Sequence, residues 1–324
     1  LGISSEFSEL KMSNIKFSVQ TAVFRFYPLK LAMKKIAEAG YDGIELWGGQ
    51  FHGYYVDFLK SFDLQKRELN FGIINQIKKM SKEFNLEIVC YTPEQCFYPI
   101  NYLATDIMPF DERENRERSI NYFKLSIDIA HALEVNKVVI TTPFWLWKRM
   151  NNEYSIMSKE EILLKAKNIL NELAQYAKEM NVIILLEPLT HLETTAIETL
   201  EDALWILKEI KSPNLKLMLD TGHVYITARK IGEKMEDYFT TYIKTLGKDL
   251  VHIHIDDNHG NADEHLIPGD GEINFKEILK ILLKAKYKGY LSLEISPFGS
   301  YAIPPKPEEL IKRSKEYISK ILYT

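Results

Sequence analysis

Between Val251 and Gly271 the chain reads VHIHIDDNHGNADEHLIPGDG. A strand-like run places His252 and His254 on one face, then opens into a loop carrying Asp256, Asp257, His259, Asp263, Glu264 and His265. Crowding carboxylates and imidazoles costs free energy unless a cation, a substrate or hydrogen bonds compensate. The stretch therefore predicts a metal or acid–base site, and other strand-like runs supply matching residues. ILLEPLTHLE closes on Glu187, with His191 and Glu193 beyond it; LMLDTGHV closes on Asp220, followed by His223; HIHIDD carries His254; LSLEIS closes on Glu294. Each has an ordinary explanation alone. Asp220 before Thr-Gly suits a turn or cap, His254 a satisfied core histidine, and Glu187 and Glu294 partners for a rim lysine. Four successive strand ends finishing this way favour a shared site. Two glutamates, one aspartate and one neutral imidazole suit Mn²⁺ or Co²⁺, admit Mg²⁺, and suit Zn²⁺ less without thiolates. Such an ion would leave positions for two adjacent substrate oxygens, polarise a carbonyl and stabilise an enediolate. His252, two residues before His254, lies deeper on the same side and reads as a supporting residue.

Those strand ends need a frame that brings them together. Strand-like runs at 16–24, 41–48, 86–94, 136–144, 181–189, 214–224, 250–258 and 290–298 alternate with helical periods. The helices are expected at 28–39, 71–84, 111–133, 158–180, 199–210, 238–246, 275–286 and 307–322, the fourth opened by a capping box of Ser158 and Glu161. Several strand runs are continuously apolar, as Ile183 to Leu186 shows, which marks parallel strands covered on both faces. Eight such alternations predict an α/β fold of the (β/α)₈ TIM-barrel type, with an open doubly wound sheet as the second reading. In a barrel, catalytic side chains gather at the C-terminal ends of the strands, where the four residues fall.

The 324 residues admit one large domain or two smaller ones, and neither a linker nor a low-complexity tract divides them. Residues 1–11 (LGISSEFSELK) read as an expression remnant or disordered leader before Met12, leaving 12–324 as a single barrel domain. With 46% hydrophobic and 27% charged residues the composition is that of a globular protein, and a net charge of −4 offers no basic face for nucleic acid. Cys90 and Cys96 are too few for a disulfide framework and fit a reducing cytoplasm; no apolar run is long enough to span a membrane. A cytoplasmic enzyme is the expectation.

The blocks GYDGIELWGG (40–49), YTPE (91–94), LLEPLT (185–190) and ADEHLIPGDG (262–271) resemble the sugar isomerase and epimerase superfamily with a xylose-isomerase-like barrel. Within it they look most like ketose 3-epimerases of the tagatose/psicose and fructoselysine types. The resemblance implies that Glu187, Asp220, His254 and Glu294 hold a divalent metal. It also implies that Glu187 and Glu294 act as an acid–base pair on opposite faces of C3 of a ketose or fructosamine, through a cis-enediolate. Glu193 and His223 match positions that hold the substrate's first oxygens. Those enzymes commonly carry arginine six residues after the ligand histidine, where this chain has Gly260; Asp263 and His265 are assigned to that space as substrate-binding side chains or ligands of a second metal. Trp47, His52, Tyr91 and Glu94, with Phe144 and Trp145, are candidates for the pocket's floor and rim, although barrel-mouth packing explains the Trp and Phe residues equally. A homodimer or homotetramer follows by family analogy. Competing readings are an aldose–ketose isomerase or inosose dehydratase on the same metal, a non-enzymatic sugar-binding module, and an endonuclease IV-like apurinic nuclease. The nuclease would use His223, Asp263 and His265, but this chain lacks the histidine that reading expects after the third strand, where it has CYTPE.

Overall fold

Side chains that alternate between a barrel interior and a surrounding layer of helices dictate the architecture seen in the computed structural model, which describes residues 15–93, 113–142, 147–150, 153–194, 196–296 and 306–323. Four strands form the first half: β1 (Lys16–Gln20), β2 (Gly43–Trp47), β3 (Glu87–Thr92) and β4 (Lys137–Ile140). A separate antiparallel pair, β5 (Trp147–Met150) and β6 (Glu153–Ile156), follows. The second half contains β7 (Ile183–Leu186), β8 (Leu215–Asp220), β9 (Leu250–Ile255) and β10 (Tyr290–Leu293). Apart from β5 and β6 the strands are parallel, each beside its neighbour in the chain, and β1 pairs with β10 to close an eight-stranded barrel. The expected (β/α)₈ TIM barrel is the fold observed.

The helices among the described residues are α1 (Leu29–Glu38), α2 (Phe71–Phe84), α3 (Arg113–Ala132), α4 (Lys159–Glu179), α5 (Leu200–Ile210), α6 (Thr221–Ile231), α7 (Met235–Leu246), α8 (Phe275–Lys284) and α9 (Pro307–Tyr323). Ser158 and Glu161 form the expected reciprocal capping box on α4, and Thr199 with Asp202 forms another on α5. The outer core lies between helices and strands. Inside the barrel a smaller apolar group of Val89, Cys90, Val139, Leu185, Met218 and Tyr290 forms a floor. Leu185, Met218 and Ser292 precede Glu187, Asp220 and Glu294 by two residues, so strand periodicity lifts the polar residues one layer above that floor.

Strict one-to-one alternation does not hold. The β5–β6 pair interrupts the connection from β4 to β7, and two helices, α6 and α7, connect β8 to β9. The run expected to be a strand through residue 224 ends at Asp220, which becomes the N-cap of α6 by accepting a hydrogen bond from the His223 amide (2.8 Å). Thr221, Gly222, His223, Val224, Ile226, Thr227 and Ala228 are all buried. A helix covered on most sides has no polar face, so its start reads as an extension of the apolar strand.

Candidate metal and acid–base centre

Barrel register converts four distant segments into one cluster. Asp220 on β8 is paired with His254 on β9, and Ser292 on β10 with His254. Glu187 and Glu294 follow their strands by one residue and continue the ladder: the Glu187 amide donates to Ile140 O (3.1 Å) and that of Glu294 to Ile255 O (3.3 Å). Nδ1 of His254 lies 3.3 Å from Glu187 Oε1, 3.9 Å from Asp220 Oδ2 and 2.5 Å from Glu294 Oε2. One ligand atom from each of the four lies within 4.8 Å of every other.

These close approaches are not hydrogen bonds. Glu187 Oε1, Asp220 Oδ2 and His254 Nδ1 are buried and have no hydrogen-bond partner. Buried polar atoms in native proteins are ordinarily satisfied, and an exception calls for an explanation such as an ion. Ligand atoms gathered this closely without bonding one another could hold a cation, and the donor set of three carboxylates and one imidazole fits a divalent one.

The opposite edge of His254 is fully engaged. Its Nε2 lies 2.9 and 3.0 Å from the two oxygens of Glu45 on β2. Glu45 also accepts from His252 Nε2 (2.8 Å), Ser292 Oγ (3.0 Å) and Thr92 Oγ1. His252 thus sits one layer below His254, bonded to Glu45 and 3.8 Å from Cys90 Sγ. A side chain of β1 also contributes: Gln20 Nε2 donates to Glu294 Oε1 at 2.5 Å.

Burial would push the Glu45 carboxyl up, but the charge of His254 and the hydrogen bonds from both imidazoles outweigh it and hold it well below the usual range. Burial similarly opposes charging His254, yet Glu294, Glu45 and Glu187 raise its pKa well above that of free histidine. Glu294 is drawn down to about 2, burial being overcome by His254. Asp220 is driven well up by burial and by the neighbouring Asp256. Without a cation the cluster therefore retains protons that an ion would displace.

A second group of polar residues forms a wall beside the first. Nε2 of His223 is 3.3 Å from Glu193 Oε2 and 3.4 Å from Asp263 Oδ1. His265 places Nδ1 3.0 Å from Asp256 Oδ2 and Nε2 2.9 Å from Asp263 Oδ2. Neither ring nitrogen of His223 has a hydrogen bond, nor has Asp263 Oδ1. Burial opposes charging the two histidines, but Asp220 and Glu193 around His223 and Asp263 around His265 raise both well above their usual value. Burial raises Glu193, against the pull of His223.

The loop behind this wall is tied by its other acids. Asp257 accepts from the amides of Asn258 (2.8 Å), Gly269 (2.8 Å) and Ile273 (3.0 Å), and exchanges backbone hydrogen bonds with Leu266. His259 pairs with Glu264 at 3.0 Å on the surface. A side chain at Gly271 would meet Asp257 Oδ1 at 2.4 Å, which explains the glycine there.

Two of the residues expected to touch substrate each bond a backbone carbonyl through one polar atom, while Nδ1 of His52 has no hydrogen-bond partner. His52 is buried, its Nε2 is 3.0 Å from Tyr27 O, and burial lowers its pKa to about 4. Tyr91 is buried and its hydroxyl donates to Gly53 O at 2.8 Å. Both brace the loop after β2, because at the barrel mouth a short loop must find partners for its own carbonyls. Trp47 is half-buried and packs edge-on against His52, with ring centroids 5.9 Å apart. Glu94, Phe144 and Trp145 lie outside the described residues. Glu45 and Gln20 went unrecognised in the sequence. The available signal was a glutamate within the otherwise apolar GIELW run, which parallel strands tolerate only with buried partners.

The profile of the xylose isomerase-like TIM barrel family matches residues 33–321. Fructoselysine 3-epimerase from Shigella flexneri is 32% identical over 276 residues, covering 83% of this chain and 85% of that protein. Among solved structures, D-psicose 3-epimerase in the presence of D-fructose superposes with a TM-score of 0.70 at 16% identity, covering 96% of this chain and all of that one. The IOLI protein with a bound zinc atom superposes with a TM-score of 0.69 at 21% identity, covering 95% and 98%. At those identities the structural likenesses speak for the fold.

Proposed function

The chain belongs to the xylose isomerase-like TIM barrel family, and from that premise we propose that it is a divalent-metal-dependent sugar epimerase acting at C3 of a ketose or fructosamine. The observation that carries this reading is the convergence of Glu187 and Glu294, from different strands, on the unbonded Nδ1 edge of His254. Glu187, Asp220, His254 and Glu294 would hold the metal, with Mn²⁺ or Co²⁺ the best match to the donor set. When bound, such an ion would polarise the substrate carbonyl and stabilise negative charge on the adjacent oxygens.

The proton steps belong to the chain. One of Glu187 and Glu294 takes the proton from C3, leaving a planar enediolate, and the other returns a proton to the opposite face. Gln20 orients Glu294 through Oε1, leaving Oε2 on the side of His254. Glu193, His223, Asp263 and His265 offer acceptors and donors for sugar hydroxyls, in a wall dense enough to fix which carbon faces the glutamates. The resemblance also supports a homodimer or homotetramer in the cytoplasm, and sedimentation velocity measures the first.

The test is solvent exchange. Candidate ketoses and fructosamines are incubated in D₂O with the Mn²⁺-loaded enzyme, and deuterium is located by NMR. Incorporation at C3 is expected. Exchange confined to C1 would replace epimerisation with aldose–ketose isomerisation, and no exchange into any sugar of the panel would overturn the reading.

A further inference from the structure

Glu45 is wholly buried in the middle of β2. Ionised carboxylates so deep cost several kcal/mol unless every lone pair finds a donor. Here His252, His254, Ser292 and Thr92, from β9, β10 and β3, supply donors to both oxygens. An interior polar plug that ties strands together would account for those bonds. It would not account for what they do to His254.

Imidazole has two nitrogens, and in the neutral ring one carries the proton while the other offers a lone pair. Nε2 of His254 is committed to Glu45, and Nδ1 faces Glu187, Asp220 and Glu294 without a hydrogen bond. A carboxylate acceptor at Nε2 keeps the proton there and leaves the lone pair at Nδ1. We propose that Glu45 is the positioning residue of the centre, fixing the tautomer and ring plane of His254 so that Nδ1 is presented to the cation. Ser292 and Thr92 hold Glu45 in turn, and His252 holds its second oxygen. The trio Glu45, His252 and His254 is not itself a second ion site, because its facing atoms are already hydrogen-bonded to one another at 2.8 to 3.0 Å. An ion there would have to break those bonds.

The inference rests on the proposed function only for the presence of a cation, and the test separates the two. Mn²⁺ and Co²⁺ are titrated calorimetrically into the metal-free wild type, Glu45→Gln, His254→Ala and the double variant, and the unfolding midpoint of each metal-free protein is recorded. Glu45→Gln is expected to weaken metal binding roughly 10- to 100-fold, the usual effect of losing such a partner. In the His254→Ala background the same change should leave affinity as it is, since Glu45 acts through that ring. A merely structural role would instead lower the unfolding midpoint while leaving affinity within twofold, and that result overturns the proposal, as does an undiminished effect in the double variant. Should Glu45→Gln fail to fold, Ser292→Ala removes one support without touching His254; unchanged affinity there also counts against the proposal. A wild type that binds neither ion removes the parent reading together with this one, whereas equal binding by wild type and Glu45→Gln removes only this one.

Discussion

On the Nε2 edge of His254, Glu45 and its four donors form a buried network in which both carboxylate oxygens are hydrogen-bonded. On the Nδ1 edge, Glu187, Asp220 and Glu294 stand 2.5 to 3.9 Å away, yet Glu187 Oε1, Asp220 Oδ2 and the ring nitrogen make no hydrogen bond. Both edges bring carboxylates against one imidazole; hydrogen-bond satisfaction separates them. A buried polar group with its bonds complete is fixed in place, while one whose atoms converge unbonded calls for a further partner.

The sharpest way to break that contrast is to neutralise the Nδ1 edge. Glu187→Gln and Glu294→Gln keep shape and remove charge, and each should lower kcat by roughly 10²- to 10⁴-fold, the span of general acid–base catalysis. Neither should cost the metal-free fold much, because each removes a member of a crowded acidic set; thermal unfolding checks this. Wild-type turnover in either variant would show that the edge is structural after all.

Acid should act on the same edge more gradually. In the metal-free protein His254 and Asp220 hold protons to higher pH than free side chains do, His254 through Glu294, Glu45 and Glu187 against burial, and Asp220 through burial and Asp256. Protons must leave for an ion to bind, so metal affinity rises with pH by about tenfold per unit for each proton displaced, and levels off above the raised pKa values. Calorimetric titrations in buffers of different ionisation enthalpy count the protons. Affinity independent of pH would mean that the ligand atoms are not these.

Gly222 tests how firmly the wall is joined to the centre. A Cβ at this position would stand 2.6 Å from Asp256 Oδ2, and the Asp256 carboxylate receives the Gly222 amide at 2.8 Å while facing His265 on its other side. Gly222→Ala should cost about 1–3 kcal/mol in chemical denaturation, as overpacking does. KM should rise more than kcat falls, since Asp256 and His265 move while Glu187 and Glu294 do not. Unchanged stability would mean that the α6 start yields freely.

The contrast also marks what the sequence could reveal. Parallel strands buried on both faces write themselves as short apolar runs, and a polar residue closing each run is conspicuous, so the barrel and the gathering of Glu187, Asp220, His254 and Glu294 in one cluster were legible. Glu45 was not, because its meaning lies in partners such as His252, which is 207 residues away in the chain. The start of α6 was hidden by burial on most of its faces. The hydrogen bonds of His52 and Tyr91 were hidden for a related reason: nothing local discloses that a loop histidine and a strand-end tyrosine meet the carbonyls of Tyr27 and Gly53.

Tyr91 gives the smallest effect and the cleanest control. It lies on β3, in the half of the barrel without candidate ligands, and its hydroxyl is bonded to the Gly53 carbonyl within a buried setting. Tyr91→Phe deletes that bond and leaves a buried carbonyl short of a donor, a loss of about 1 kcal/mol. The ring remains to pack edge-on against Phe58. Stability should therefore fall slightly while kcat and KM stay within about twofold, because nothing on the Nδ1 edge of His254 moves. A drop in kcat comparable to that of Glu294→Gln would instead place the Tyr91 hydroxyl among the groups that meet substrate, and the division between the bonded and unbonded regions of the barrel would have to be redrawn.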